Sequence, residues 1–324
     1  MNIGNIRGIR LSRRAALRSL ATVTLLSAAL VAPFSSFTRA SAQQSIDSSF
    51  SNTILPTLGL PELTLERNLD GLTGMPESIP AGRYLVNYTA TDVVAYLLFA
   101  QHPKGLTEEQ ALEQARAAGS NDQQQEGWVY GGGSNADPGQ TVQVVVELTA
   151  GEWNVVTSAM PPDGNWETDE VYQIQPFTVT GSTATPASSA SPVAEIEAGV
   201  HVEMPGMAFV MDTETVSAGP QIWEFANTGD QAHHMVMMRT PHLVTSDDMT
   251  ALIDMFTSAT PPAGDSWFLN STWVGYTALV SPGFTVWNEF DLDSGAYVML
   301  CFIADTETGM PHLVMGMWTP FTVE

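Results

Sequence analysis

Four residues in the second half of the chain combine side-chain types that bind a soft metal ion. The only cysteine, Cys301, ends an apolar run and is followed by His312 and Met317. An earlier segment offers His233 and, beside it, His234. Two imidazoles, one thiolate and a weak thioether are the ligand types of blue-copper electron-transfer sites. The residue types therefore indicate copper binding as the candidate chemistry.

Two predicted strands must carry these side chains into one place. Side chains alternate between the two faces of a strand, so Met299 and Cys301 share one face, and His233 and Met235 share another. This alternation points Cys301 and His233 inward. His234, the next residue along its strand, faces the other way and is the weaker candidate.

Each candidate also has a simpler interpretation. Cys301 could be a small buried hydrophobe, and Met317 could be core filler. His233 could be a hydrogen-bonded residue at a strand start, and His312 could be solvated in a loop. With only one cysteine, the chain forms no intramolecular disulfide.

The chain repeats itself, and the repeat predicts its architecture. Residues 148–153 recur as 292–297 and residues 176–179 recur as 320–323, at one offset of 144 residues. Between the copies, residues 181–192 read GSTATPASSASP, which is typical of a linker. We therefore predict a domain over 43–180, a flexible linker over 181–195 and a second domain over 196–324.

Both copies predict an all-β fold. Short segments rich in Val, Thr and aromatic residues are separated by Gly and Pro turns, which indicates two tandem Greek-key β-sandwiches. One short helix interrupts each copy. A capping-box pattern at 107–110 precedes the first helix, and acidic residues at 247–248 begin the second.

The second copy resembles the cupredoxins, the plastocyanin and azurin family. The resemblance is carried by residues 227–229 before His233, the turn at 282–283, residues 295–297 before Cys301, and His312 to Met317 before 321–323. It covers nearly all of 199–324 and, more weakly, the first copy. It implies a cupredoxin-like sandwich with His233, Cys301, His312 and Met317 as ligands of one copper ion. Ten residues separate Cys301 from His312, where the family has only a few, so other contacts must order this loop.

The first copy lacks the ligand set. At the same offset Thr157, Thr168 and Gln173 take the places of the cysteine, the second histidine and the methionine. Residues 94–96 stand where the first histidine would be. This copy is therefore predicted to be metal-free and structural, or to bind something else.

Tandem cupredoxin domains also occur in multicopper oxidases and copper nitrite reductases, which need His-x-His pairs. The chain has six histidines and no such pair, so the sequence predicts that it is not an enzyme. The leading hypothesis is an exported copper-binding electron-transfer protein with a redox partner protein. The alternatives are a metal-free tandem β-sandwich for binding or adhesion, and a copper carrier without a redox role.

The N-terminus and the charge predict where the chain works. Arginines precede the uncharged run 20–37, and residues 40–42 offer a small-residue cleavage site, so 1–42 is predicted to be an export signal. Residues 12–18 resemble a bacterial twin-arginine motif. The mature chain is then predicted to be periplasmic, extracellular or at the cell surface, without a membrane span. A formal charge of −24 excludes nucleic acid and would steer a cationic partner.

Overall fold

A computed structural model of the chain describes residues 50–121, 123–165, 168–181, 195–213, 215–257 and 266–324. The predicted export signal and most of the predicted linker lie outside these residues. After a short 3-10 helix at Leu55–Leu58, the first half contains nine strands and one α-helix: β1 Glu62–Asn68, β2 Gly71–Thr73, β3 Ser78–Pro80, β4 Gly82–Ala90, β5 Val94–Gln101, α1 Glu108–Asn121, β6 Val129–Ala136, β7 Thr141–Leu148, β8 Gly151–Met160 and β9 Val171–Thr180.

The second half repeats this series element by element: β10 Val200–Glu203, β11 Val210–Met211, β12 Thr215–Val216, β13 Gly219–Ala226, β14 His233–Thr240, α2 Ser246–Thr257, β15 Thr272–Val280, β16 Thr285–Leu292, β17 Gly295–Leu300 and β18 Trp318–Val323. Even the parallel pairs recur, since β1 pairs with β4 as β10 pairs with β13. Likewise β3 pairs with β9 as β12 pairs with β18. The internal repeat read from the sequence is therefore a repeat of structure.

Two sheets contain all these strands, and each sheet runs through both halves. The eight-stranded sheet has the order β11-β10-β13-β16-β7-β4-β1-β2, and the ten-stranded sheet has the order β12-β18-β17-β14-β15-β6-β5-β8-β9-β3. The halves meet where β16 pairs with β7 and β15 with β6. The fold-class prediction of an all-β tandem sandwich is confirmed. The edge-to-edge joining of the sheets was not predicted from the sequence.

The main core lies between the two sheets and continues across the junction. Trp153 of the first half meets Phe284 of the second edge to face, with ring centroids 6.0 Å apart. Gly132 in β6 permits the close approach, because a Cβ there would lie 2.2 Å from Val286 Cγ1. Its φ of +90° also favours glycine.

Both helices begin with a side-chain cap, which the sequence predicts for the first helix, whereas for the second it predicts only acidic residues in the first turn. Before α1, Thr107 Oγ1 accepts a hydrogen bond from Gln110 N at 3.2 Å, and Thr107 N donates to Gln110 Oε1 at 3.0 Å. Before α2, Thr245 and Asp248 make the same reciprocal pair at 3.2 and 2.9 Å. Each cap satisfies amide groups that the first helical turn leaves unpaired.

Candidate metal centre

Three of the four predicted ligands lie together at one end of the second half. His233 is the first residue of β14, Cys301 directly follows β17, and His312 lies in the connection to β18. All three side chains are fully buried. His233 Nδ1 lies 3.0 Å from His312 Nδ1, and Cys301 Sγ lies 3.4 Å from His312 Nδ1. The three ligand atoms all lie within 4.8 Å of one another.

The spacing of these atoms fits one shared ion. Metal–nitrogen bonds of about 2.0 Å and a metal–sulfur bond of about 2.3 Å are ordinary for such ligands. With those lengths, the 3.0 Å separation corresponds to a nitrogen–metal–nitrogen angle of about 97°, and the 3.4 Å separation to a sulfur–metal–nitrogen angle of about 104°. Both angles are close to tetrahedral. These two separations therefore fit one ion shared by His233, Cys301 and His312.

Burial keeps the two imidazoles of the cluster neutral. Desolvation, and secondly the nearby His312, lower the pKa of His233 to about 3. Desolvation lowers the pKa of His312 to about 4, although the carboxylate of Asp305 acts in the opposite direction. Because a neutral imidazole is the metal-binding form, both rings are available as ligands at neutral pH.

The backbone around Cys301 closes the site. Cys301 N donates a hydrogen bond to Met317 O at 3.2 Å, and Leu313 N donates to Cys301 O at 2.8 Å. His312 N donates to Ile303 O at 2.8 Å. Met317 is fully buried in the same core cluster as Cys301. These contacts place the methionine beside the site, and its role as a fourth ligand stays a prediction.

Asp305 orders the long loop between Cys301 and His312. Its Oδ1 accepts hydrogen bonds from Glu307 N, Thr308 N and Thr308 Oγ1 at 3.2, 2.7 and 2.6 Å. Its Oδ2 accepts from Gln231 Nε2 at 2.6 Å. Burial alone would raise the pKa of this carboxyl group, but these hydrogen bonds outweigh burial and lower it to about 2. The extra residues therefore form a closed turn anchored near the start of β14.

The first half completes this anchor. Gln124 Oε1 accepts a hydrogen bond from Ala232 N at 2.9 Å, and Gln124 Nε2 lies 3.4 Å from Gln231 Oε1. An isolated bridge also joins Gln123 to Ala304. The roles of Gln124, Gln231 and Asp305 were not predicted from the sequence. Only Asp305 carries a local signal, since Asp followed by Thr three residues later is typical of a side-chain-capped turn.

His234 does not join the cluster. Its Nε2 accepts a hydrogen bond from Phe302 N at 2.8 Å, and its ring meets Tyr276 edge to face at 5.8 Å. The structure thus brings His233 and not His234 to Cys301, as strand alternation predicts. Burial lowers the pKa of His234 to about 3, with smaller contributions from His312 and His233.

The corresponding place in the first half is filled differently. Thr157, the counterpart of Cys301, accepts a hydrogen bond from Arg67 Nε at 3.0 Å. The fully buried Arg67 also donates to Val171 O at 3.0 Å. Gln173 accepts from Leu72 N at 2.8 Å, while Thr168 lies in an exposed turn beside Asp169. Among the described residues, the His–Cys–His cluster of the second half is the one group that matches a metal site.

No helix within the described ranges is both long and apolar enough to cross a membrane.

Comparisons with known proteins concern the fold. No family model matches the sequence, and no curated protein matches it either. Auracyanin from Roseiflexus castenholzii is 24% identical, with a TM-score of 0.25, over 38% of this chain and 94% of that one. Auracyanin A from Chloroflexus aurantiacus, a "blue" copper protein, is 18% identical, with a TM-score of 0.23, over 38% of this chain and 96% of its own.

Longer similarities involve enzymes. A multi-copper oxidase from Pediococcus acidilactici is 13% identical, with a TM-score of 0.22, over 83% of this chain and 61% of that one. A laccase from the same organism is 13% identical, with a TM-score of 0.22, over 83% of this chain and 63% of the laccase. The prediction that the chain is not an enzyme is contradicted by these oxidase neighbours, and we withdraw it. At such identities and scores the similarities do not assign an activity.

Proposed function

We propose that the second half of this protein binds one copper ion and transfers single electrons. The observation that carries the proposal is the buried cluster of His233, Cys301 and His312, whose three ligand atoms converge within 4.8 Å. Two imidazoles and a thiolate are a ligand set suited to copper, and Met317 is the proposed weak axial ligand. Bound copper would supply a one-electron couple between Cu(II) and Cu(I).

The residues of the site favour retention of the ion in both oxidation states. Thiolate and thioether suit Cu(I), whereas imidazole suits both states. Met235, Met299 and Ile303 are buried in the same core cluster as Cys301, and an apolar environment of this kind would keep water away from the thiolate. Rigid positioning limits the rearrangement that an electron transfer would otherwise require.

Complete burial of the three ligands favours electron transfer over copper carriage. A carrier must release its ion, so its ligands have to be reached by a recipient. Here each ligand side chain is fully buried, and the loop bearing His312 is anchored through Asp305 to Gln231. Release would require this anchored loop to open.

We further propose that the protein works outside the cytoplasm after removal of residues 1–42, with a cationic redox partner. The arginine-rich start and the run 20–37 support export. Removing 1–42 takes away six arginines and no acidic residue, so the formal charge becomes about −30. Such a field would raise the rate of encounter with a positively charged partner.

Titration of the purified metal-free protein with Cu(II), followed by visible absorption, tests the proposal. We expect an intense thiolate-to-copper charge-transfer band that saturates at one ion per chain and disappears on reduction. Cys301→Ser should abolish the band and keep the far-ultraviolet circular dichroism of a β-sandwich. Copper binding without this band, or with the band unchanged in Cys301→Ser, would show that the proposed site is wrong.

A further inference from the structure

A cavity of about 200 Å³ lies at the junction of the two halves, apart from the His–Cys–His cluster. Strands β5, β6 and β8 of the first half and β14 and β15 of the second contribute to its wall, together with helix α1. In two places along the chain, one residue belongs to the metal cluster and the next residue lines the cavity. His233 and Cys301 belong to the metal cluster, whereas His234 and Phe302 line the cavity.

The wall of the cavity is mostly aromatic and almost uncharged. Besides His234, seven aromatic residues line it: Tyr96, Trp128, Tyr130, Tyr172, Trp273, Tyr276 and Phe302. Glu170 is the single acidic residue among the lining residues, and no lysine or arginine is among them. An anionic ligand would therefore find no counter-charge in this wall. Aromatic walls with few polar groups are typical of sites for neutral ring compounds.

His234 supplies a hydrogen-bond donor to this cavity. Its Nε2 accepts a hydrogen bond from Phe302 N at 2.8 Å, so this nitrogen carries no proton. An imidazole always has at least one N–H, and the proton must therefore be on Nδ1. Among the described residues, no acceptor is within hydrogen-bond distance of Nδ1. His234, a lining side chain, thus carries an N–H donor for which the described residues provide no partner.

Other polar groups of the wall also lack partners within the described part of the chain. Asn135 Oδ1 and Trp273 Nε1 are buried without a hydrogen bond. The Ser158 hydroxyl lies in the same cross-strand row as Tyr96 and Asn135. Buried polar groups in native proteins are nearly always satisfied by protein, water or ligand. Their concentration around one cavity points to a polar atom of an occupant.

We propose that this cavity binds a small neutral aromatic compound that carries a carbonyl group. The ring would pack against the aromatic wall, and the carbonyl oxygen would accept the hydrogen bond from His234 Nδ1. An apolar cavity of about 150 Å³ admits benzene, so 200 Å³ accommodates a ring with a short substituent. The lining residue Gln123 is exposed, which gives the site a route to solvent. Copper is not needed for this binding.

Calorimetric titration of the full chain with three probes tests the proposal. Acetophenone carries the ring and the carbonyl, ethylbenzene has the same shape without the acceptor, and benzoate is an anion. We expect one acetophenone to bind per chain. The affinity for ethylbenzene should be lower by a factor of about five or more, because ethylbenzene leaves the His234 donor unpaired. Benzoate should bind more weakly still. Equal affinity for acetophenone and ethylbenzene would overturn the role of the carbonyl group, and no binding of acetophenone would overturn the proposal and leave water as the occupant.

Two variants locate the binding. Ala278 lines the cavity, and Ala278→Leu should fill it and lower acetophenone affinity at least tenfold. Ala226→Leu makes the same change in a part-exposed strand residue outside the lining and should leave affinity unchanged. If Ala278→Leu does not fold, Ser158→Ala gives a milder test, with Ser134→Ala as its buried non-lining control. Undiminished binding in a folded Ala278→Leu variant would contradict the assignment.

Discussion

Replacing Asp305 with Ala should weaken copper binding although Asp305 is not itself a proposed ligand. The carboxylate accepts four hydrogen bonds, three within the loop and one from Gln231. Hydrogen bonds to a charged group contribute about 1.5–3 kcal/mol each, but a released loop regains entropy and the bonds are not additive. We therefore expect a loss of about 2–4 kcal/mol in the free energy of unfolding. Because Asp305 orders the loop that carries the proposed ligand His312, its loss should lower copper affinity about 10- to 100-fold.

The control for this variant is Glu307→Ala. Glu307 lies in the same loop, and its side chain is exposed. That variant should change neither stability nor copper affinity, as measured by urea unfolding and by competition with a copper chelator. Wild-type copper affinity in a folded Asp305→Ala variant would refute the argument that the Asp305 anchor holds His312 in place.

Three other predictions follow from the site. Met317→Leu should keep copper and shift its reduction potential, because the axial bond is weak; unfolding or loss of copper in this variant would indicate a packing role instead. The metal-free protein should lose stability as the pH falls from about 6.5 toward 3, because unfolding restores ordinary pKa values to buried His233, His234 and His312. Urea unfolding at pH 7 and pH 5 measures this loss, and a flat profile would contradict it. Gln124→Ala should raise the copper dissociation rate several-fold by freeing Gln231, and an unchanged rate would show that the first half does not support the site.

The sequence predicts the elements of the fold well because each carries a local pattern. Alternation in β14 and β17 separates His233 from His234 and turns Cys301 inward. The capping box at Thr107 marks the start of the first helix, and Asp247 and Asp248 mark the start of the second. Such signals depend on residues a few positions apart, and the fold preserves them.

Pairing between distant strands leaves no comparable signal. Strand β6 pairs with β15, and β7 pairs with β16. The alternation of side chains along these strands would be the same if their edges were exposed, so it does not predict the pairing. For the same reason the contacts of Gln124 with Ala232 and Gln231 could not be predicted, since they join residues more than 100 positions apart. The domain boundaries at 180 and 196 stay predictions, and the shared sheets make the two copies structurally interdependent.

X-ray absorption at the copper edge of the loaded protein measures which atoms bind the ion and at what distance. We expect one sulfur at about 2.2–2.3 Å and two imidazole nitrogens at about 2.0 Å, the distances that the converging atoms of Cys301, His233 and His312 would give. Cys301→Ser should remove the sulfur contribution. A shell made only of nitrogen and oxygen in the wild-type protein would contradict the account, because copper would then be bound away from Cys301.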